Sequence, residues 1–184
     1  MEFMREHEKL VIYGTGEGAK LIFEKAFVYS DKIAVFLDRN NNQKNLFGKP
    51  VCEIGATIEA DAIIIASDAW LDIYPKLKVL YPHLNYYCPY GKIELFGRIG
   101  KHTYGANDNT IEHSSLIEEI GSFCSINEHA KIGLGNHAYD IVTTFPLRKL
   151  IPHDSNHNAK VSGKIKIGND VWIGANSIIL PNVL

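Results

Sequence analysis

The stretch IGSFCSINEHAKI, residues 120–132, repeats every six residues, and IGNDVWIGANSIILP, residues 167–181, repeats in the same way. An isoleucine such as Ile120 is followed by Gly or Asn, and a small or β-branched residue such as Cys124 stands four positions after it. Side chains recur about every 3.6 residues in a helix and about every 2 in a strand, so neither explains this period. The pattern predicts a parallel β-helix, in which the residue after each inward-pointing isoleucine tolerates a tight backbone conformation. An alternating β-sandwich is the competing interpretation.

The repeat starts near Ile93 and runs to the end of the chain with two irregularities. Ile117 and Ile120 are only three residues apart, which predicts an irregular corner between coils. From His137 to about residue 160 the repeat is absent, and loops longer than about 12–15 residues are uncommon and usually functional. We expect this loop to leave the coil and meet a substrate or a neighbouring subunit.

The first ninety or so residues follow a different pattern, in which short apolar runs alternate with helical ones. Strands are predicted at residues 10–13, 33–37 and 61–66, and helices at residues 19–29 and about 69–81, where Pro75 is expected to kink or shorten the second helix. This alternation predicts a small parallel sheet of Rossmann-like α/β type. We therefore predict an α/β domain over residues 1–91 and a β-helix domain over residues 92–184.

Three glycines, Gly14, Gly16 and Gly18, lie between the first strand and the first helix. Backbone N–H groups in such a loop can cradle a phosphate at the helix N-terminus, although tight strand–helix turns use the same glycines. Asp38 ends the second strand, where an acidic residue in such folds contacts a ribose or a base. The sequence thus predicts a nucleotide site with Gly14, Gly16, Gly18 and Asp38 as substrate-binding residues.

Composition narrows the class of protein. A formal net charge of -2 gives no electrostatic basis for binding nucleic acid or an anionic membrane. No apolar run approaches the roughly 18 residues that suggest a membrane span. The N-terminal stretch MEFMREHEKL is charged where a signal peptide needs an apolar segment, which favours the cytoplasm. Three scattered cysteines predict neither a disulfide framework nor a zinc site, so no metal is expected.

Residues 120–132, the segment GNHAYDIVTTFP at 135–146, and residues 167–181 together resemble the hexapeptide-repeat acyltransferases, and most closely their xenobiotic acetyltransferase branch. The resemblance covers about residues 100–184. It implies that the predicted coil is a left-handed β-helix, an exception to the usual right-handed crossover. It also implies a homotrimer that binds acetyl-CoA in the groove between neighbouring helices.

The same resemblance assigns the site residues. The family's catalytic histidine corresponds to His137, and an imidazole that titrates near neutral pH can serve as the general base. Asp140 is a candidate to orient that ring. Trp172, Gly174 and Ala175 correspond to the coil that faces the pantetheine arm, where small residues let the backbone contact the arm. Packing at the trimer interface is the alternative role of Trp172.

The N-terminal region resembles the corresponding domain of bacterial sugar acyltransferases that act on nucleotide-linked amino sugars. In those proteins, glycines and an Asp at the positions of Gly14, Gly16 and Asp38 hold the nucleotide. The histidine usual in their glycine loop is replaced here by Gly18. The resemblance implies a sugar-nucleotide site in which that one contact is missing.

We expect an acetyltransferase that uses acetyl-CoA to modify a hydroxyl or amino group of a sugar. Acetylation of an antibiotic hydroxyl is the alternative that the repeat half permits equally well. A non-catalytic scaffold is a third hypothesis, because residue 184 falls within a repeat where the family continues for more coils and a cap. A metal-dependent relative with this fold needs three converging histidines, and the eight histidines here lack a convincing spacing.

Overall fold

The computed structural model describes residues 2–39, 43–137, 159–160 and 163–182, with the backbone alone for Asn136–His137 and Ala159–Lys160. The chain divides into two compact units, Met1–Ile93 and Glu94–Leu184. We call these the sheet unit and the coil unit. The architecture is mixed α/β, and most of the strand pairs are parallel.

In its described residues, the sheet unit contains six strands, three α-helices and a 3₁₀ helix between its second α-helix and its second strand. Its strands are β1 (Leu10–Tyr13), β2 (Ile33–Asp38), β3 (Asn45–Leu46), β4 (Lys49–Glu53), β5 (Ala62–Ile65) and β6 (Asn85–Tyr87). Its α-helices are α1 (Glu2–Glu6), α2 (Glu17–Lys25) and α3 (Trp70–Leu80), and a 3₁₀ helix spans Phe27–Lys32. Across the described residues, no helix is both long and apolar enough to cross a membrane.

The strands form one sheet in the order β3-β4-β2-β1-β5-β6, and only the β3–β4 pair is antiparallel. The three predicted strands are β1, β2 and β5, and they are adjacent at the centre of the sheet. All four residues of β1 and of β5 are buried, which explains their continuous apolar sequences. The predicted parallel sheet is thus confirmed, and β3, β4 and β6 extend it.

Helix α2 is shorter than the predicted helix over residues 19–29. The backbone leaves the α conformation at Ala26, and the 3₁₀ helix follows. Beyond Ala26, Phe27 and Val28 are largely exposed, and Tyr29 packs against the core from the 3₁₀ helix. Pro75 lies within α3, so it does not shorten that helix as the sequence suggested.

The coil unit contains three ladders of parallel strands. Its strands are β7 (Ile117–Ile120), β8 (Ser125–Ile126), β9 (Lys131–Ile132), β10 (Asn136–His137), β11 (Ala159–Lys160), β12 (Ile165–Ile167), β13 (Trp172–Ile173) and β14 (Ile178–Ile179). The three parallel pairs are β7 with β12, β8 with β13, and β9 with β14. Single bridges add an earlier turn, joining Ile99 to Ile120, Tyr104 to Ser125, and Ile111 to Ile132.

The six-residue repeat therefore describes successive turns that stack in register. Isoleucines of the repeat point inward, and Ile111, Ile120 and Ile132 are essentially inaccessible to water. Cys124 and Ala130, the small residues four positions after an isoleucine, are also fully buried. This confirms that Cys124 packs inside the coil, where its Sγ lies 3.1 Å from the Gly168 carbonyl oxygen.

In the coil unit, the tight corners between strands occupy a different position in the six-residue repeat from the one predicted. The residue three places after an isoleucine adopts a positive φ at His102, Phe123, Asp170, Asn176 and Asn182. Among the glycines that directly follow an isoleucine, Gly133 has a positive φ of 80°, whereas Gly121, Gly168 and Gly174 do not. The prediction that the residue right after the isoleucine needs to tolerate a tight backbone conformation is thus wrong for most turns, as far as φ shows.

Gly121 is needed for a different reason, the close approach of two turns. Its N–H donates to the Ile167 carbonyl at 2.8 Å, and a Cβ atom on residue 121 would lie 2.6 Å from the Asn169 amide nitrogen. The same atom would also overlap the Gly168 carbonyl oxygen. A side chain at this position would therefore push two turns of the coil apart.

The predicted irregular corner is confirmed at residues 114–120. A 3₁₀ helix, Ser114–Leu116, leads into β7 and absorbs the extra residues between turns. The guanidinium of Arg98 donates to the carbonyls of Ser114 at 3.1 Å and Ile117 at 2.7 Å. The Ser114 carbonyl also accepts the Ile117 N–H, so the guanidinium of Arg98 adds to the backbone hydrogen bonding of this corner.

The stacking at Gly121 is testable by substitution. We expect Gly121→Ala to lower the free energy of unfolding by about 1–3 kcal/mol, because the added methyl group overpacks two turns. Gly168→Ala is the matched control, since it stands at the same point of the repeat and no described atom lies within 4 Å of a Cβ there. Urea unfolding of both variants measures the difference, and equal stabilities would contradict the packing account.

Candidate functional site

A cleft of about 450 Å³ lies at the carboxyl edge of the sheet unit. Tyr13 and Gly14 at the end of β1, Asp38 at the end of β2, and Ala66 after β5 line its floor. The cleft sits where the sheet order reverses, because the chain passes from β1 outward to β2 on one side and later to β5 on the other. Ligands of open α/β sheets bind at such reversal points.

Two of the three predicted loop glycines have a structural reason to be glycine. Gly14 has a φ of 109°, and its N–H donates to the Leu37 carbonyl at 2.7 Å, which closes the turn after β1. A Cβ atom on Gly18 would lie 2.7 Å from the Ala66 carbonyl oxygen, so α2 packs closely on the end of β5. Gly16 has no described atom within 4 Å of a Cβ.

The Tyr90 hydroxyl lies close to the point where a side chain on residue 18 would begin. Only 2.8 Å would separate that oxygen from a Cβ atom there. Burial raises the pKa of Tyr90, and the neighbouring Cys88 and Asp68 raise it further. The phenol therefore stays protonated at neutral pH. This tyrosine, absent from our sequence predictions, occupies part of the space that the missing histidine would need.

Asp38 is held in place by the glycine loop. The Thr15 hydroxyl donates to Asp38 Oδ2 at 2.5 Å, which joins the end of β2 to the turn after β1. A hydrogen bond to a charged acceptor is stronger than a neutral one, so it fixes the carboxylate at the cleft floor. The structure thus places Gly14 and Asp38 in one cleft.

Three charged residues that the sequence analysis missed also line the cleft: Arg39, Asp72 and Lys76. Asp72 and Lys76 are four residues apart on α3, so both lie on the same side of the helix. Their position on the helix after β5 could have predicted this location, because a helix that follows a central parallel strand starts at the carboxyl edge of the sheet. Arg39 directly follows Asp38, at the start of the segment that the sequence pattern assigned to a turn.

Tyr13 and Arg39 both line the cleft. Burial raises the pKa of the Tyr13 hydroxyl, while the Arg39 guanidinium lowers it and the Asp38 carboxylate raises it. The hydroxyl therefore remains protonated near neutral pH and can donate a hydrogen bond to a ligand. Arg39 itself is exposed and lines the cleft from its solvent side.

In the coil unit, the predicted cofactor residues lie together on an exposed surface. Trp172 in β13 is 81% exposed, and Ala175 is exposed two residues after β13. A Cβ on Gly174 would meet no described atom within 4 Å. In the ladder formed by β8 and β13, Trp172 is paired with Ser125. Ser125 is also bridged to Tyr104, which is a second exposed aromatic residue. A ligand or a second chain therefore has direct access to this face.

The predicted catalytic histidine stands at the base of the long loop. The backbone of His137 lies in β10, which pairs antiparallel with β11, and His137 is opposite Ala159. His137 and Ala159 are thus adjacent in space although they are far apart in the sequence. The His137 side chain and Asp140 lie outside the described residues. In the described part of the chain, no three His, Cys, Asp or Glu side chains are grouped to hold a metal ion.

Sequence comparisons find similarity to acetyltransferases. The chain is 36% identical over 88 residues to a probable macrolide acetyltransferase of Lysinibacillus sphaericus, covering 41% of this chain and 48% of that protein. It is 32% identical over 116 residues to a chloramphenicol acetyltransferase of Klebsiella aerogenes, covering 59% of this chain and 52% of that protein. A chloramphenicol acetyltransferase of Agrobacterium fabrum is 41% identical over 71 residues, covering 35% and 34%.

No family model matches the chain, and no solved structure matches it. The chain spans about half the length of the first curated relatives it matches. The names of these relatives have acetyl transfer in common; one names a macrolide and the other two name chloramphenicol. The resemblance to acetyltransferases that the repeat predicted is thereby confirmed at modest identity.

Proposed function

We propose that this protein is an acetyltransferase that uses acetyl-CoA as the acetyl donor. The similarity to several relatives named for acetyl transfer carries this proposal. The register of the coil unit supports it, because its parallel turns agree with the repeat on which the resemblance rests. We propose further that the coil is a left-handed parallel β-helix and that the protein acts in the cytoplasm.

We propose that three chains assemble side by side and that acetyl-CoA binds between two coils. The exposed ladder of Tyr104, Ser125 and Trp172 supports this arrangement, because two large aromatic side chains face outward from one short stretch of surface. Trp172 either forms a flat apolar wall for the pantetheine arm or packs against the neighbouring chain. Gly174 and Ala175 leave the adjacent backbone accessible to the amide groups of that arm.

In the proposed reaction, the His137 imidazole accepts the proton of the acceptor hydroxyl as the hydroxyl oxygen attacks the thioester carbonyl carbon. A C–O bond forms and the C–S bond breaks, which releases the CoA thiolate. The imidazolium then gives its proton to this thiolate, so the products are an acetyl ester and free CoA. Asp140 is proposed to orient the ring. Such a base contributes about 10²–10⁴-fold in rate.

The acceptor is proposed to be a hydroxyl group of an antibiotic-like molecule. The printed names of the relatives, chloramphenicol and macrolide acetyltransferases, favour this acceptor over the sugar preferred from sequence. A nucleotide-linked sugar is kept as a second candidate because of one observation. The cleft of the sheet unit brings Gly14 and Asp38 together at the point where α/β sheets bind nucleotides, with Gly16 and Gly18 in the adjoining loop.

We expect His137→Ala to lower acetyl transfer by at least about a hundredfold, because the acceptor hydroxyl loses its base. Transfer from radiolabelled acetyl-CoA to chloramphenicol, a macrolide and a nucleotide-linked amino sugar measures the activity and identifies the acceptor class. His129→Ala is the control, since His129 is an exposed histidine of the same coil beside Glu128.

Retained activity in His137→Ala would remove this histidine from its proposed role. Transfer to the nucleotide-linked sugar alone would favour the second candidate. Transfer to none of the acceptors, with CoA bound normally, would contradict the proposed acceptors. Failure to bind CoA would contradict the acetyltransferase proposal itself.

We expect Gly174→Leu to weaken CoA binding at least tenfold while the fold is retained, because the new side chain would extend into the proposed donor groove and not into the coil. Gly168→Leu is the matched control, since it is an open glycine one repeat earlier on a different ladder. Calorimetric titration with CoA measures the affinity. Unchanged affinity in Gly174→Leu would place the donor elsewhere.

A further inference from the structure

A second cavity of the sheet unit lies at the amino edge of the sheet, away from the cleft described above. Its volume of about 390 Å³ falls within the range of about 300–1,000 Å³ typical of small-molecule sites. Lys9, just before β1, and Lys32, just before β2, line it, and strands β2 and β4 form its floor. Residues 57–59, ahead of β5, form one wall. We call this space the amino-edge cavity.

The floor of the amino-edge cavity is apolar and contains a β-bulge. Leu10 pairs with Ile33 and Val11 pairs with Val35, so Ala34 is an extra residue on β2. Ala34 and Val35 both line the cavity. Bulges are rare between parallel strands, and they often occur next to binding sites. The small side chain at the bulge leaves space above the floor for an apolar group of a ligand.

Both lysines of the amino-edge cavity already have partners. Lys9 Nζ lies 3.2 Å from Glu59 Oε2. Lys32 Nζ lies 3.7 Å from Glu8 Oε1 and donates to the His7 carbonyl at 2.7 Å. Because each ammonium group is engaged, the cavity offers no unpaired cation to an anionic ligand.

Asp31 is the third carboxylate of the amino-edge cavity, and its situation differs from that of Glu8 and Glu59. It is exposed, and it makes no ion pair in the part of the chain that the structure describes. The lining thus contains one carboxylate more than it has ammonium groups. A negative charge next to an apolar floor favours a ligand with a positive charge on an apolar body.

An organic ammonium group suits these surroundings better than a metal ion does. Ca²⁺ and Mg²⁺ require several oxygen ligands around one point. Among the described residues, no three His, Cys, Asp or Glu side chains are grouped in that way. An ammonium group can pair with the single carboxylate of Asp31, and an attached apolar group would cover Val35.

We propose that the amino-edge cavity binds a small primary amine with an apolar body. Its ammonium group pairs with Asp31, and its apolar part lies over Ala34 and Val35. This site is independent of acetyl transfer and of the cleft at the carboxyl edge. Cys52 also lines the cavity, and its half-buried thiol is used below only as a reporter.

The test measures how fast a thiol reagent labels Cys52 in the full chain. Cys88 and Cys124 are buried, so Cys52→Ser should remove the fast reaction. We expect saturating phenethylamine to slow the labelling at least about fivefold, because thiol reactions depend on access to the sulfur. Phenylethanol and phenylacetate carry the same ring without the positive charge and should leave the rate nearly unchanged. A free thiol in the same solutions controls for effects on the reagent.

Substitution of Asp31 tests the charged contact. Asp31→Asn should raise the phenethylamine concentration for half protection at least about threefold, a modest factor because water and salt screen exposed pairs. Asp170→Asn is the matched control, since it removes the same charge at an exposed corner of the coil unit. Calorimetric titration with phenethylamine repeats the comparison without the label, and thermal unfolding verifies that both variants are folded.

Each contrary outcome overturns the proposal in a distinct way. Absence of protection, together with no heat of binding, would mean that the cavity takes no such amine. Equal protection by phenylethanol would mean that charge does not select the ligand, and protection by phenylacetate would assign an anion to the lysines. An unchanged half-protection concentration in Asp31→Asn would remove Asp31 from its role. None of these results affects acetyl transfer, which is measured separately.

Discussion

Register between successive turns of the coil unit is the constraint on which its site depends. Backbone N–H groups of one turn donate to carbonyls of the next, as Gly121 does to Ile167, and a glycine is needed where the two turns almost touch. Buried isoleucines fill the interior, and a one-residue slip would turn them outward. The same register places Trp172 on the exposed surface of the coil unit.

Close backbone approach also shapes the sheet unit. Without a side chain on Gly18, helix α2 packs against the carbonyl of Ala66, and the positive φ of Gly14 lets the chain turn sharply after β1. The close contact at Gly18 and the sharp turn at Gly14 hold the glycine loop against the carboxyl edge of the sheet. The cleft lies between this loop and α3. Glycines in both units thus serve packing first, and any role in binding follows from the space they leave.

Periodicity in the sequence was sufficient to predict the central strands, the stacked turns and the irregular corner, because buried positions recur at fixed intervals. Periodicity did not locate the corner residues correctly. Non-glycine residues such as Phe123 and Asp170 adopt the positive φ, and the sequence pattern does not mark them. The sequence predicted a nucleotide site on the glycine loop and Asp38, but it did not identify Arg39 and Lys76, which line the same cleft as Gly14 and Asp38. Arg39 and Lys76 come from separate elements that only the sheet order brings together.

The central claim is that the coil holds a thioester donor beside one histidine. A crystal structure of the protein with bound CoA tests this most directly. The account predicts the CoA sulfur in a groove next to Trp172 and Gly174, with the His137 imidazole close enough to the sulfur for a substrate hydroxyl to contact both. CoA bound at a distant surface, or an imidazole turned away from the sulfur, would contradict it.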